Sequence, residues 1–161
     1  MFLKEIIQEL RKTLYKSRYF LSYCLAIMIV FHFLGVVIVS GDSMDNTYHN
    51  KQILLVKHNI KFDIANNDIV IAKPYSDNKN RAVIKRVIGV PGDTIEINEN
   101  TLYINGKKTK ENYIKEPMQT KDVQITLKKD EYYLLGDNRN NSIDSRVYGP
   151  VKKLNIVAKV L

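Results

Sequence analysis

The chain has 161 residues, 25 Lys and Arg against 17 Asp and Glu, a formal net charge of +8 and a single cysteine. That length allows one soluble domain of ordinary size plus an anchor. One cysteine excludes an internal disulfide, and no Cys or His cluster has the spacing of a zinc site.

Residues 1–19 carry Lys4, Arg11, Lys12, Lys16 and Arg18 against Glu5 and Glu9, five positive charges against two negative, a net +3. Phe2, Leu3, Ile6, Ile7, Leu10 and Leu14 recur at helical spacing. The spacing is that of an amphipathic helix on a membrane surface, with a frayed basic leader as the plain alternative. From Phe20 to Val39 no Asp, Glu, Lys or Arg occurs. About twenty such residues are needed to cross a hydrocarbon core of roughly 30 Å, so 20–39 is predicted to be a transmembrane helix. His32 is the one ionisable histidine in the run and has no second ionisable residue to pair with, so it is read as neutral. A cleaved signal peptide would have a shorter apolar core, about 7 to 15 residues, and a small-residue cleavage site. Ser40-Gly41-Asp42 is a poor one, which favours a retained signal anchor. The basic flank belongs on the cytoplasmic side, leaving residues 40–161 as an extracytoplasmic domain.

Beyond the leader about +5 of the net charge remains, scattered, with Lys107, Lys108 and Lys110 densest beside a turn. A solvated loop accounts for that cluster. Nucleic acid is not a partner the sequence suggests, while attraction to anionic lipid head groups is a minor expectation.

Ser43 stands four residues after Val39. Four extended residues reach at most about 14 Å, so Ser43 is expected near the membrane surface. Gly41, beside it, permits unusual backbone angles and close approach by a substrate. The backbone N–H of Ser43 is a candidate oxyanion donor. Short strands follow. They are read at 53–56, 68–72, 81–90, 94–97, 101–104, 132–135 and 155–161, with Asn105-Gly106 as a hairpin turn and Pro91-Gly92 as another. The soluble part is predicted to be mainly β, a small barrel or folded sheets.

Lys85 and Arg86 interrupt the apolar strand 82–90. Neighbours on a strand point to opposite faces, so one of the two must face the more buried side. A buried amine is pushed towards its neutral form, and a neutral lysine can serve as a general base. The plain alternative is a lysine on a solvated edge face. A hydroxyl and an amine are the minimum parts of a Ser-Lys hydrolase. A third segment, 136–146, is polar, turn-rich and charge-balanced, and reads as a loop wired by Asp and Arg.

Taken together, three segments resemble the signature boxes of bacterial type I signal peptidase. Ser40-Gly41-Asp42-Ser43-Met44-Asp45-Asn46-Thr47 is similar to the family's Ser-Gly-x-Ser-Met-x-Pro-Thr. Lys85 to Asp93 follows Lys-Arg-Val-Ile-Gly-x-Pro-Gly-Asp, and Gly136 to Arg146 follows Gly-Asp-Asn-Arg-x-x-Ser-x-Asp-Ser-Arg. The resemblance implies removal of signal peptides from exported preproteins after small residues in an Ala-x-Ala pattern. It implies Ser43 as nucleophile and Lys85 as general base. Ser142 would orient the Lys85 amine. Asp144 and Arg146, with Arg86, would hold that loop. Met44 would lie at the membrane-facing edge beside the nucleophile. The implied fold is the signal-peptidase β fold shared with self-cleaving repressors of the LexA type, with one N-terminal transmembrane helix in the Gram-positive manner. No cofactor or metal is implied.

The chain departs from the pattern at Asn46, where Pro is usual, at Tyr48, at Asn50-Lys51, often Asp-Gly, and at Asn67, often Gly. Proline would stiffen the segment after the nucleophile, so its loss is expected to loosen Ser43. The alternative reading is a weakly active or inactive relative that binds preproteins or a membrane partner without cutting.

Overall fold

The computed structural model describes residues 2–58, 63–74 and 81–161. It opens with helix α1, Phe2–Phe33, which runs without a linker into strand β1, Leu34–Ile38. The helix expected over 20–39 ends at Phe33 instead. Only residues 20–33, fourteen of the twenty, are helical, a rise of about 21 Å. Among the described residues no helix is long and apolar enough to cross a membrane. The physical reason lies in Gly35 and the β-branched run Val36-Val37-Ile38-Val39, which favours a pleated strand over a helix. The strand also has a partner, pairing antiparallel with β2 from Leu34 opposite Lys57 to Ile38 opposite Ile53. On α1 the side chains of Ile6 and Leu14 are exposed. Those of Phe2, Leu3, Ile7, Leu10 and His32 lie outside the described residues.

The rest is mainly β, as the sequence predicts. The strands are β2 (Ile53–His58), β3 (Ile69–Ala72), β4 (Val83–Gly89), β5 (Thr94–Asn98), β6 (Thr101–Ile104), β7 (Lys107–Lys108), β8 (Val123–Thr126) and β9 (Glu131–Leu135). A one-turn helix α2 (Ser145–Tyr148), β10 (Val151–Lys152) and β11 (Ile156–Val160) complete the chain. Seven strands form one antiparallel sheet in the order β1-β2-β11-β3-β4-β9-β10, and four form a second in the order β7-β6-β5-β8. Asn105 and Gly106 turn β6 into β7 with φ of +53° and +75°, the left-handed values that favour this pair. Of these elements, β1, β7, β8 and β10 are absent from the sequence reading.

Strands β4 and β9 lie centrally and are buried on both faces. Tyr132 and Leu134 enter a cluster with Val70 and Val87. Tyr133 and Leu135 point the other way, into a cluster with Ile88, Ile95 and Ile97. A third cluster, Val39, Leu54, Val56, Ile71, Ala158 and Val160, closes the sheet beneath the β1–β2 loop. That alternation decides the fate of a charged residue placed on the buried part of β4, Lys85 to Gly89.

Candidate active site

The loop joining β1 to β2 carries Ser43. Its neck is closed by Val39 N to Gln52 O at 2.9 Å and Lys51 N to Val39 O at 2.8 Å. Inside it the chain coils tightly, with Asp45 N on Asp42 O and both Thr47 N and Tyr48 N on Met44 O. Gly41 has φ +90° with open space on its side-chain side, a conformation and a clearance that glycine supplies most cheaply. Met44 is fully buried. The coil turns its side chain inward, directly after the serine.

Lys85 and Arg86 diverge as neighbours on a strand must. Both are buried, which removes the solvated-edge alternative for Lys85. Lys85 Nζ donates to Ser43 Oγ at 2.6 Å. Burial, chiefly, lowers the Lys85 pKa to about 8. The carboxylates of Asp144 and Asp137 pull it upward, and Arg146 pushes it down again. Arg86 instead forks onto Asp137, Nε to Oδ1 at 2.8 Å and a terminal nitrogen to Oδ2 at 2.6 Å, and lies 4.0 Å from the centre of the Tyr113 ring. Asp137 belongs to the 136–146 loop, so Arg86 is tied to that loop near its start.

The loop after β9 backs the serine. Asn138 N donates to Ser43 O at 3.1 Å and Asn138 Nδ2 to Asp42 O at 3.0 Å. Thr47 donates its hydroxyl to Asp137. Gly136 passes so close that a Cβ there would stand 2.5 Å from Ser43 O and 2.2 Å from Ser142 Oγ, so only glycine fits. Asp144 and Arg146 form a fork, Nε to Oδ1 at 2.8 Å and a terminal nitrogen to Oδ2 at 2.7 Å. Asp144 also accepts from Gly136 N at 3.1 Å, and Arg146 donates to Arg139 O at 2.6 Å. This fork wires the loop from inside. Ser142 is in place beside Gly136, but its buried Oγ makes no hydrogen bond. The expected bond from Ser142 to the Lys85 amine is therefore not formed, because the hydroxyl faces the Gly136 backbone.

Ser43 and Lys85 stand at the end of a groove of about 350 Å³. Its walls are the 37–40 stretch on one side and Ala82 to Ile84 on the other, with Ile71 behind. Val37, Val39, Val83 and Ile84 give it apolar walls. The sequence reading missed Asp137, Asn138, Thr47 and Tyr113. Asp137 and Asn138 sit inside a polar segment that it singled out, and their exact spacing from Gly136 was the available signal. Tyr113 lies in an irregular stretch that carries none.

The family model described as "Signal peptidase, peptidase S26" matches residues 12–161. The protein "Signal peptidase I P" of Bacillus subtilis subsp. natto is 39% identical over 121 residues, covering 68% of this chain and 64% of its own length. The match thus spans less than two thirds of that relative. "Signal peptidase I" of Bacillus licheniformis is 36% identical over 138 residues, covering 78% of this chain and 73% of its own. Among solved structures, a signal peptidase I from Enterococcus faecalis V583 superposes with a TM-score of 0.54 at 32% identity, over 62% of this chain and 97% of that one.

Proposed function

The chain belongs to the signal peptidase family, peptidase S26, and from that premise we propose that it is a serine endopeptidase that removes N-terminal signal peptides from exported preproteins. The observation that carries the reading is the 2.6 Å contact between the Ser43 hydroxyl and the Lys85 amine at the end of an apolar groove.

In the neutral state the Lys85 amine accepts the Ser43 proton as Oγ attacks the scissile carbonyl. The negative charge that develops on the carbonyl oxygen is met by the Ser43 backbone N–H. The lysine, now an ammonium, gives its proton to the departing amine of the mature protein. A water deprotonated by the same amine then hydrolyses the acyl-enzyme and restores the serine. Asp144 and Arg146 act at one remove, holding the 136–146 loop that backs Ser43. The apolar groove suits small side chains before the cut, in keeping with an Ala-x-Ala site. The enzyme works at the membrane, with the basic leader on the cytoplasmic side, α1 as the attachment and the β domain, beginning at Leu34, on the outer side where preproteins emerge. Exposed Phe20, Leu21, Leu25 and Met28 on α1 support that attachment.

The test is cleavage of a model preprotein with an Ala-x-Ala site in detergent. Cutting at that site by wild type, and none by Ser43→Ala or Lys85→Ala with the fold intact, is the expected outcome. Near wild-type cutting by either variant would remove the dyad. No cutting by a folded wild type would leave the non-cleaving relative as the reading.

A further inference from the structure

The two residues directly after Met44 hold a connection that the proposed reaction does not use. Asp45 Oδ2 accepts from Lys115 Nζ, and Asp45 Oδ1 lies 2.8 Å from His49 Nδ1. Asn46 holds φ +89°, and its Nδ2 donates to Tyr113 O at 3.3 Å. Lys115 and Tyr113 lie on the stretch 109–122 between β7 and β8, which has no regular structure of its own. Among the contacts that pin that stretch are Lys115 N to Asp137 O at 3.2 Å, Arg86 over the Tyr113 ring, and Glu111 on Arg139. The serine loop is thus gripped from two sides. The 136–138 backbone holds Asp42 and Ser43, and the 113–115 segment holds Asp45 and Asn46.

We infer that the Asp45–Lys115 ion pair, with the Asn46–Tyr113 bond beside it, is a clasp that positions Ser43 against Lys85, which makes Lys115 a positioning residue for the reaction proposed above. The inference rests on that reading of the site. A purely structural role fits the pair poorly. The two side chains are 24% and 48% exposed, and ion pairs so wet contribute little to global stability. What they can fix is place. Asp45 lies two residues from a hydroxyl that must meet a buried amine, and a displacement of about 1 Å at a reacting group costs on the order of a hundredfold in rate. The left-handed backbone at Asn46 makes the same point, since it bends the chain so that Asp45 faces Lys115 and the Asn46 amide faces the Tyr113 carbonyl. The trace of the clasp belongs in turnover, not in melting.

The experiment compares the full chain with Lys115→Ala, Lys115→Arg, Asp45→Asn and the double variant Asp45→Asn with Lys115→Ala, on the same model preprotein in detergent. Lys115→Ala is expected to lower kcat about tenfold with KM and melting temperature near wild type, a fraction of the full cost of misplacement. Lys115→Arg is expected to restore kcat, and the double variant to be no worse than either single change. Raising salt to about 1 M, where screening acts over roughly 3 Å, is expected to slow wild type and leave Lys115→Ala unchanged. An unchanged kcat in Lys115→Ala, a loss that follows a fall in melting temperature, or additive single losses would each overturn the clasp. Wild type and Ser43→Ala are run alongside, so a wild type that cuts separates failure of the clasp from failure of the peptidase reading. If wild type does not cut, amide exchange over residues 42–48 decides instead. Faster exchange in Lys115→Ala upholds the clasp, and equal exchange removes it.

Discussion

At the scale of single residues, Lys85 is where the chemistry is set. With its pKa lowered to about 8 by burial, most of the amine is protonated at neutral pH and most is free above pH 9. In the proposed mechanism the general base is the free amine, so kcat/KM is expected to rise with pH through about 8, falling about tenfold for each unit below that midpoint. A profile flat between pH 6 and 8 would contradict the assignment of Lys85 as base. Asn46 argues differently. The sequence alone suggests that a proline here would tighten the site, but the structure reverses that expectation, because proline is confined to φ near −65° and Asn46 stands at +89°. Asn46→Pro is expected to cost at least about 1–3 kcal/mol of stability and most of the activity, whereas Asn46→Gly keeps the fold. Thermal unfolding of the two variants checks this, and a Pro variant as stable as wild type would refute it. Two other departures were legible. Lys51 and Asn67 occupy positions where glycine is frequent in the family, and both adopt left-handed φ, +69° and +71°. The rotamer of Ser142 was not legible, since a motif fixes which residue is present and not which way its hydroxyl turns.

At the scale of elements, strands β4 and β9 were readable because burial on both faces leaves a largely apolar run, as in 132–135 and, apart from Lys85 and Arg86, in 82–90. The same rule hid β1. A short apolar stretch reads equally as strand or as the end of a helix, and only its pairing with β2 separates the two. Strand β8 was missed despite the alternation Val123-Gln124-Ile125-Thr126, because it follows a long irregular stretch with no turn signal. Placing two adjacent cations on a strand without a wet face obliges each to find its own solution. Lys85 meets it with a lowered pKa, Arg86 by pairing. Arg86→Ala would leave Asp137, which is fully buried, with no cation and only the Thr47 hydroxyl. The expected loss is about 3–5 kcal/mol, measured by denaturant unfolding. A loss below about 1 kcal/mol would mean that water or a second cation replaces the arginine.

At the scale of the whole molecule, the division falls between Phe33 and Leu34. A chain beginning at Leu34 is expected to fold cooperatively and to cut a soluble peptide with an Ala-x-Ala site. A chain beginning at Ser40 lacks β1, leaves the β2 edge unpaired and removes Val37 to Val39 from the groove wall. It is expected to lose both cooperative unfolding and cutting. Equal behaviour of the two chains would show that β1 is dispensable. The strand's alternation carries a consequence for how such a chain can change over time. Val37 and Val39 face inward, while Val36 and Ile38 face outward. One residue inserted between Leu34 and Ser40 would exchange the two sets and present the wrong side chains to the groove. Upstream of Phe33 the leader can change length as long as α1 still serves as the attachment, but the six positions from Leu34 to Val39 are locked in frame, and length variation among descendants of this chain should stop abruptly at that point.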